Sequence, residues 1–326
     1  MCATSPANAL DPHLQALIAA AGPLGIHASD LSASWGQSVV AFDHNGHREL
    51  VFDGITFSSL SVVARQVCRN KLATHEVLHE LGIPTTTGRL FHDAESERQD
   101  LERFVADGDA FVVKPLHGAD GVGVGMDLRS IEEVVEHWRS IRDLDDGFLL
   151  EKQEPGEDLQ IQPIGGRAVA ACRREPASVI GDGSASIAEL AAERDRLVRS
   201  QNPNNRLRLD GVSHRLLGEQ GLEPDSVPEA GRRVRLKKVA NIGYGGHVYD
   251  VTDRMHPAYA DWVAAIARRL DMSIFSLDVI SRDPSADPHE AGVVLEVNGE
   301  AQWLHHTFSE GRTHDIPTLI LQDLFT

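Results

Sequence analysis

The sequence predicts an α+β fold with a cleft between lobes, and three observations carry that expectation. Short apolar runs with turn residues between them read as antiparallel hairpins. Segments with helical spacing are interleaved with them rather than alternating strand by strand. No period of 20–50 residues recurs, so a solenoid is excluded. The elements follow in order. A short helix over Leu10 to Ala21 precedes a strand at Ser38-Val39-Val40-Ala41-Phe42. Residues 71–81 have helical spacing, with Leu72, Val77, Leu78 and Leu81 on one side, and Gly82 stops that helix ahead of Pro84. Ala94 to Asp107 reads as a further helix with Asp93 as N-cap and Gly108 as stop. A strand–turn–strand over 111–126 comes next, then a helix from Ser130 to Arg142 and a buried strand at Phe148-Leu149-Leu150-Glu151. Strands resume over 159–172, turning at Gly165-Gly166; helices fit 186–200 and 256–271, and strands fit 274–281 and 292–298.

The chain has 326 residues, enough for two or three domains. Hydrophobic residues make up 41% and charged residues 25%, an ordinary globular balance. The formal net charge of −18 would repel a phosphate backbone, so no nucleic-acid partner is expected. No apolar window is long enough for a span, so no membrane partner is expected either. Cys2, Cys68 and Cys172 are odd in number and widely spaced, which suggests free thiols in a reducing cytoplasm. The first residues lack a basic and apolar leader, which argues against secretion. Cationic islands at Arg173-Arg174, Arg206/Arg208 and 232–238 stand out against the acidic background and would suit a small anionic ligand.

The most informative stretch is Phe111-Val112-Val113-Lys114-Pro115 followed by Gly118, Gly121, Gly123 and Gly125. A β-branched run delivers one lysine, and the glycines let backbone N–H groups approach a ligand closely. The lysine precedes the glycines, so this is not a Walker A loop, and it does not fit a dinucleotide fingerprint. A plain hairpin turn remains an alternative reading. Near the C-terminus, Asp278 sits in one apolar run, and Glu296 and Asn298 in another. Alternate residues share a strand face, so Glu296 and Asn298 point together, and a neighbouring strand would add Asp278. Two carboxylates and an amide oxygen form a hard-oxygen set suited to Mg²⁺. The alternative is a solvent-facing edge strand.

Lys71, Lys114, the glycine turn, Glu151, Asp158 and the late oxygen trio, in that order, resemble the ATP-grasp carboxylate–amine ligases. Further resemblance lies in Pro155-Gly156-Glu157-Asp158, Arg173-Arg174-Glu175-Pro176, Gly181-Asp182-Gly183, Ala240-Asn241-Ile242-Gly243-Tyr244-Gly245-Gly246 and Glu296-Val297-Asn298. These words are similar to the glutathione-synthetase-like modules of cyanophycin synthetases and of N-acetylglutaminylglutamine synthetases. The similarity covers roughly 65–326. It implies an ATP-grasp fold: a pre-ATP-grasp region over 1–70, a central lobe over 71–150 and a C-terminal lobe over 151–326. It also implies a role for each position. Lys71 and Lys114 would contact ATP phosphates, with the turn carrying Gly118, Gly121 and Gly123 folded over them. Glu151 would hold adenine at the hinge and Asp158 the ribose. Asp278, Glu296 and Asn298 would bind Mg²⁺ or Mn²⁺, and Arg174 with Asn241 would face the transferred phosphoryl. Small amino-acid or peptide substrates, a dimer or tetramer and a cytoplasmic location go with the resemblance.

Departures from the family pattern fall at Gln160 and Lys237, where relatives carry arginine, and at 299–306, where a Pro-Gly element is usual. They put the substrate in doubt more than the nucleotide, and they keep open a noncatalytic ATP-binding module. A third reading comes from His75-Glu76-Val77-Leu78-His79, a His-Glu-x-x-His pattern of zinc proteases, although Thr85 stands where an extended pattern wants histidine. The polar face of a helix explains the same residues. His305-His306 suggests one ring turned in, against substrate. Trp303 is a packing residue or a substrate wall, and Cys172 a core residue.

Overall fold

The computed structural model describes residues 10–105, 109–117 and 121–326. Its first sheet is an antiparallel meander of β1 (His27–Asp30), β2 (Val39–His44), β3 (His47–Phe52) and β4 (Thr56–Phe57). Asn45 and Gly46, both at positive φ, make the two-residue turn between β2 and β3, a turn whose twist matches the strands. Helices α1 (Pro12–Ala21) and α2 (Ser32–Trp35) belong to this region, and Asp11 caps α1 by accepting the His13 N–H. Its core does not close on itself. Leu14, Leu17, Val40, Phe42 and Val51 pack with Trp303, Ile316 and Ile320 from the far end of the chain. Trp303, fully buried, donates its indole N–H to the Gly54 carbonyl at 3.0 Å, so it is a packing residue.

Helices α3 (Val62–Arg69) and α4 (Lys71–Glu80) lead into a second antiparallel sheet. Its strands are β5 (Gly88–Phe91), β6 (Phe111–Pro115), β7 (Gly125–Leu128) and β8 (Phe148–Lys152), in the order β5-β8-β6-β7. Helices α5 (Arg98–Phe104) and α6 (Ile131–Ile141) supply Leu101, Val134, Trp138 and Ile141 to a core shared with Phe91, Phe111 and Phe148. Ser130 and Glu133 form a reciprocal capping box on α6. The helix expected over 94–107 is shorter than its sequence suggests. The Asp93 carboxylate accepts the Glu95 and Ser96 N–H groups, and the Glu97 carboxylate accepts those of His92 and Asp93. Those bonds hold residues 93–97 in a turn that competes with helix. Asp107 and Gly108 lie outside the described residues.

The largest sheet is antiparallel throughout. It is built from β9 (Glu157–Ile164), β10 (Arg167–Glu175), β13 (His247–Asp250), β14 (Ser276–Ser281) and β15 (Gly292–Asn298), in the order β13-β10-β9-β14-β15. Gly165 and Gly166, both at positive φ, close the β9–β10 hairpin where the sequence placed it. Between β10 and β13 the chain forms a separate small layer. It consists of β11 (Ser178–Ile180) paired with β12 (Arg233–Arg235), backed by α7 (Ile187–Gln201) and α8 (Gly211–Glu219). Helix α9 (Tyr259–Leu270) covers one face of the large sheet, and α10 (Pro288–Ala291) and α11 (Ile316–Phe325) complete the chain. No helix among the described residues is long and apolar enough to cross a membrane.

Strand alternation gives that sheet two unlike faces. Leu159, Ile161, Ala171, Leu277, Val279 and Val297 pack under Trp262, Val263 and Ile266 of α9 and Val77 and Leu78 of α4. The residues between them, on the opposite face, are polar. Leu277 is fully buried at the centre of the apolar side. Leu277→Ala should therefore cost about 3 kcal/mol of stability through lost burial and a residual cavity, read as a lowered urea midpoint at unchanged slope.

Candidate active site

Register sets the polar face. Asp278 lies opposite Gln160 on one side and Glu296 on the other, Ser276 opposite Asn298, and Arg174 opposite Asp158. Residues paired directly across antiparallel strands project to the same face, so four strands bring acids, amides and one guanidinium together. Arg174 donates from Nε and Nη2 to Asp158 Oδ1, at 2.9 and 2.6 Å, and its Nη1 lies 3.1 Å from Asp278 Oδ2. Gln160 Nε2 donates to Asp278 Oδ1 at 3.1 Å. Burial works against the charge on Arg174, yet the two adjacent carboxylates outweigh it and hold the guanidinium firmly protonated. Glu296 is pushed up by burial, opposed by Lys71 and Lys114.

The second wall comes from α4 and β6. Lys71 opens α4 just after Asn70, whose side chain accepts the Ala73 N–H as N-cap. Its ammonium is buried. Burial lowers its pKa while Glu296 and Glu151 raise it. Lys114 projects from β6 on the same side as Glu151 of β8, its diagonal neighbour in the register, and Nζ meets Glu151 Oε2 at 2.7 Å. The Glu151 carboxylate is buried, with Oε1 left without a hydrogen-bond partner. Beyond Pro115, Gly121 and Gly123 adopt positive φ in the turn that precedes β7. Gly118 lies outside the described residues.

Between the walls runs one cavity of about 1150 Å³. Lys71, Lys114, Gly121, Glu151, Asp158, Arg174, Asn241, Asp278, Glu296 and Asn298 all line it. Gly123 lies in the turn between the lining residues Val122 and Val124. Asn241 caps a short turn over Ile242–Tyr244, its side chain accepting the Tyr244 N–H. Gln160 is in the cavity wall, whereas Lys237 is turned toward Asp210 at 2.6 Å. Of the cationic islands, Arg173, Arg174 and Lys238 reach the cavity.

Residues that the sequence did not single out also line the cavity. Arg65 of α3 lies 2.8 Å from Glu300 Oε1, which also accepts from Thr56 Oγ1. This pair ties the departing segment 299–306 to α3 and the first sheet. No motif marks Arg65; only contact across more than two hundred residues gives it a place. His305 and His306 are both buried, rather than one in and one out, and only His305 lines the cavity. Burial pushes His305 well below the ordinary imidazole range and His306 down to about 3. On the His-Glu-x-x-His helix, His75 Nε2 sits 3.9 Å from Glu151 Oε1 while Glu76 and His79 are exposed, so the motif's three side chains do not converge.

The residues present fit a magnesium nucleotide. Two carboxylates and an amide oxygen share one register, buried ammonium groups lie near Glu296, and the cavity between them has room for a triphosphate. No protein-family model matches the chain. The cyanophycin synthetase of Trichormus variabilis is 28% identical over 327 residues, 97% of this chain and 35% of that protein. The cyanophycin synthetase of Geminocystis herdmanii is 30% identical over 275 residues. The glutathione biosynthesis bifunctional protein GshAB of Mannheimia succiniciproducens is 28% identical over 290 residues, 86% of this chain and 38% of that protein. The chain thus spans 31–38% of the length of these relatives, and the likeness reaches back into residues before 65. Among solved structures, a bifunctional glutathione synthetase from Pasteurella multocida superposes with a TM-score of 0.69 at 24% identity, over 97% of this chain and 43% of that one. The chain has the ATP-grasp fold and is homologous to a segment of cyanophycin synthetases and of bifunctional glutathione synthetases.

Proposed function

We propose that this chain is an ADP-forming, Mg-ATP-dependent ligase that joins the carboxylate of an amino acid or short peptide to an amine. The observation that carries this reading is one cavity with buried ammonium groups on one wall and the Asp278–Glu296–Asn298 oxygens on the other. Magnesium held by those oxygens would draw negative charge from the phosphates, as a hard cation bound by few carboxylates does. Mn²⁺ suits the same donors.

The chain's own residues have definite tasks. Lys71 and Lys114 neutralise phosphate oxygens, and Glu151 holds the Lys114 ammonium in position before nucleotide arrives. The turn carrying Gly121 and Gly123 covers the phosphates and excludes water, which would otherwise hydrolyse an activated carboxylate. On this reading Asp158, now engaged by Arg174, takes the ribose, and Glu151 with its neighbours holds the adenine at the hinge. Arg174 and Asn241 stand where phosphoryl and acyl group meet. There a fixed guanidinium stabilises developing charge at little reorganisation cost. The division at 70/71 and 150/151 into an entry region and two clamping lobes belongs to this reading, as do a cytoplasmic setting and assembly as a dimer or tetramer. Gln160, engaged with Asp278, replaces a cation at the substrate end. That favours an acyl donor whose recognition does not use an arginine there.

ADP release measured across pooled amino acids and dipeptides, with mass detection of product, tests the activity. Nucleotide binding with no ADP from any pool would instead support a noncatalytic ATP-binding module, the reading that the departures at Gln160 and 299–306 keep open. Lys114→Ala and Glu296→Ala should each lower ADP formation by about 10²-fold or more with the far-ultraviolet circular dichroism unchanged. Unaltered turnover in either variant would remove the assignment. Arg174→Met leaves the Asp158 and Asp278 carboxylates without their shared cation. It should cost about 2–4 kcal/mol in urea unfolding, and Arg174→Lys should restore only part because an ammonium cannot bridge both acids.

A further inference from the structure

A second set of donors lies beside the substrate end of the cavity, and the nucleotide chemistry does not use it. Cys172 stands on β10 two residues before Arg174 and opposite Gln160, which puts its thiol on the polar side of the large sheet. The short turn Leu304–Thr307 brings His305 and His306 against it. One donor atom from each of the three lies within 4.8 Å of the others, and all three side chains are buried. The two imidazoles are 4.3 Å apart between ring centroids, inclined by 37°. His305 Nε2 and both ring nitrogens of His306 have no hydrogen-bond partner. Buried polar atoms nearly always find one, so three orphaned ring nitrogens beside a thiol mark a place built for something else.

We propose that Cys172, His305 and His306 bind one divalent cation of the zinc class, with its fourth position open toward the cavity at His305. Sulfur and imidazole donors select zinc over magnesium, so this site is chemically distinct from the Asp278–Glu296–Asn298 oxygens. On binding, the thiol proton of Cys172 leaves to solvent, a sulfur–metal bond replaces it, and nothing is oxidised or reduced. Tetrahedral zinc with these donors places them roughly 3.3–3.8 Å apart, so donors already within 4.8 Å of one another close in by no more than about 1.5 Å. Three protein donors leave one position for water or for a carboxylate or amine in the cavity, unlike a closed structural site. The neighbouring Arg174 is already neutralised by Asp158 and Asp278, and the thiolate supplies a further negative charge. The site stands on its own geometry and does not rest on the ligase reading.

Cobalt(II), added to the full chain after chelator treatment and dialysis, tests the site without nucleotide or turnover. The expected result is one cobalt per chain, a sulfur-to-cobalt charge-transfer band in the near ultraviolet and intense visible bands of four-coordinate geometry. One equivalent of zinc should abolish all of them. Cys172→Ser should remove the charge-transfer band, whereas Cys2→Ser, Cys68→Ser and His79→Ala should keep it. Should Cys172→Ser fail to fold, His306→Gln provides the second reading and should weaken cobalt binding by about 10-fold or more. Absence of the charge-transfer band in the unaltered chain overturns the proposal. So does its survival in folded Cys172→Ser, its loss in Cys2→Ser, Cys68→Ser or His79→Ala, or unchanged affinity in His306→Gln.

Discussion

Arg174 held between Asp158 and Asp278 is the interaction on which the rest of the site depends. A carboxylate buried on a sheet face is costly unless it is paired or hydrogen-bonded, and two of them side by side are costlier. One planar guanidinium answers both, because its fork can serve Asp158 through Nε and Nη2 while Nη1 turns to Asp278. The arrangement lets the large sheet carry a charged layer on one side while Leu159, Ile161, Leu277 and Val279 form a dry core on the other. A polar face with that many acids would otherwise unfold locally or take up protons.

The same logic runs across the cavity. Lys71 and Lys114 are buried and face acids: Lys114 Nζ lies 2.7 Å from Glu151 Oε2, while burial lowers the Lys71 pKa and Glu296 with Glu151 oppose that shift. One wall therefore carries two ammonium groups with Glu151, and the other carries Asp158, Asp278 and Glu296 with Arg174, all lining one cavity. A polyphosphate with a hard divalent ion satisfies both walls at once. That complementarity would let a chain with a net charge of −18 take up an anion, as the proposed function requires.

Much of this was legible in the residues, because strand alternation is short-range. Glu296 and Asn298 share a face by period two alone, and the neighbouring run carrying Asp278 follows from the apolar pattern. Gly165-Gly166 and Gly82 announced their turns through conformations that other residues avoid. What stayed hidden depends on register or on distant contact. The pairing of Arg174 with Asp278 needs the β10-β9-β14 order, which no local pattern specifies. Arg65 acquires a role only through Glu300. Cys172 read as a core residue because it sits in an apolar run, and burial agrees. Its neighbours His305 and His306 come from a segment over a hundred residues later. The helix expected over 94–107 begins only at Arg98 for a local reason instead, since Asp93 and Glu97 spend their oxygens on a turn.

On the proposed function one magnesium nucleotide lies between the two charged walls. Isothermal titration of the full chain with a nonhydrolysable ATP analogue, with and without Mg²⁺, measures it most directly. One analogue should bind per chain, with affinity that falls when magnesium is withheld and that loses its magnesium dependence in Asp278→Asn. No heat of binding in either condition, or binding indifferent to magnesium in the unaltered chain, would contradict it.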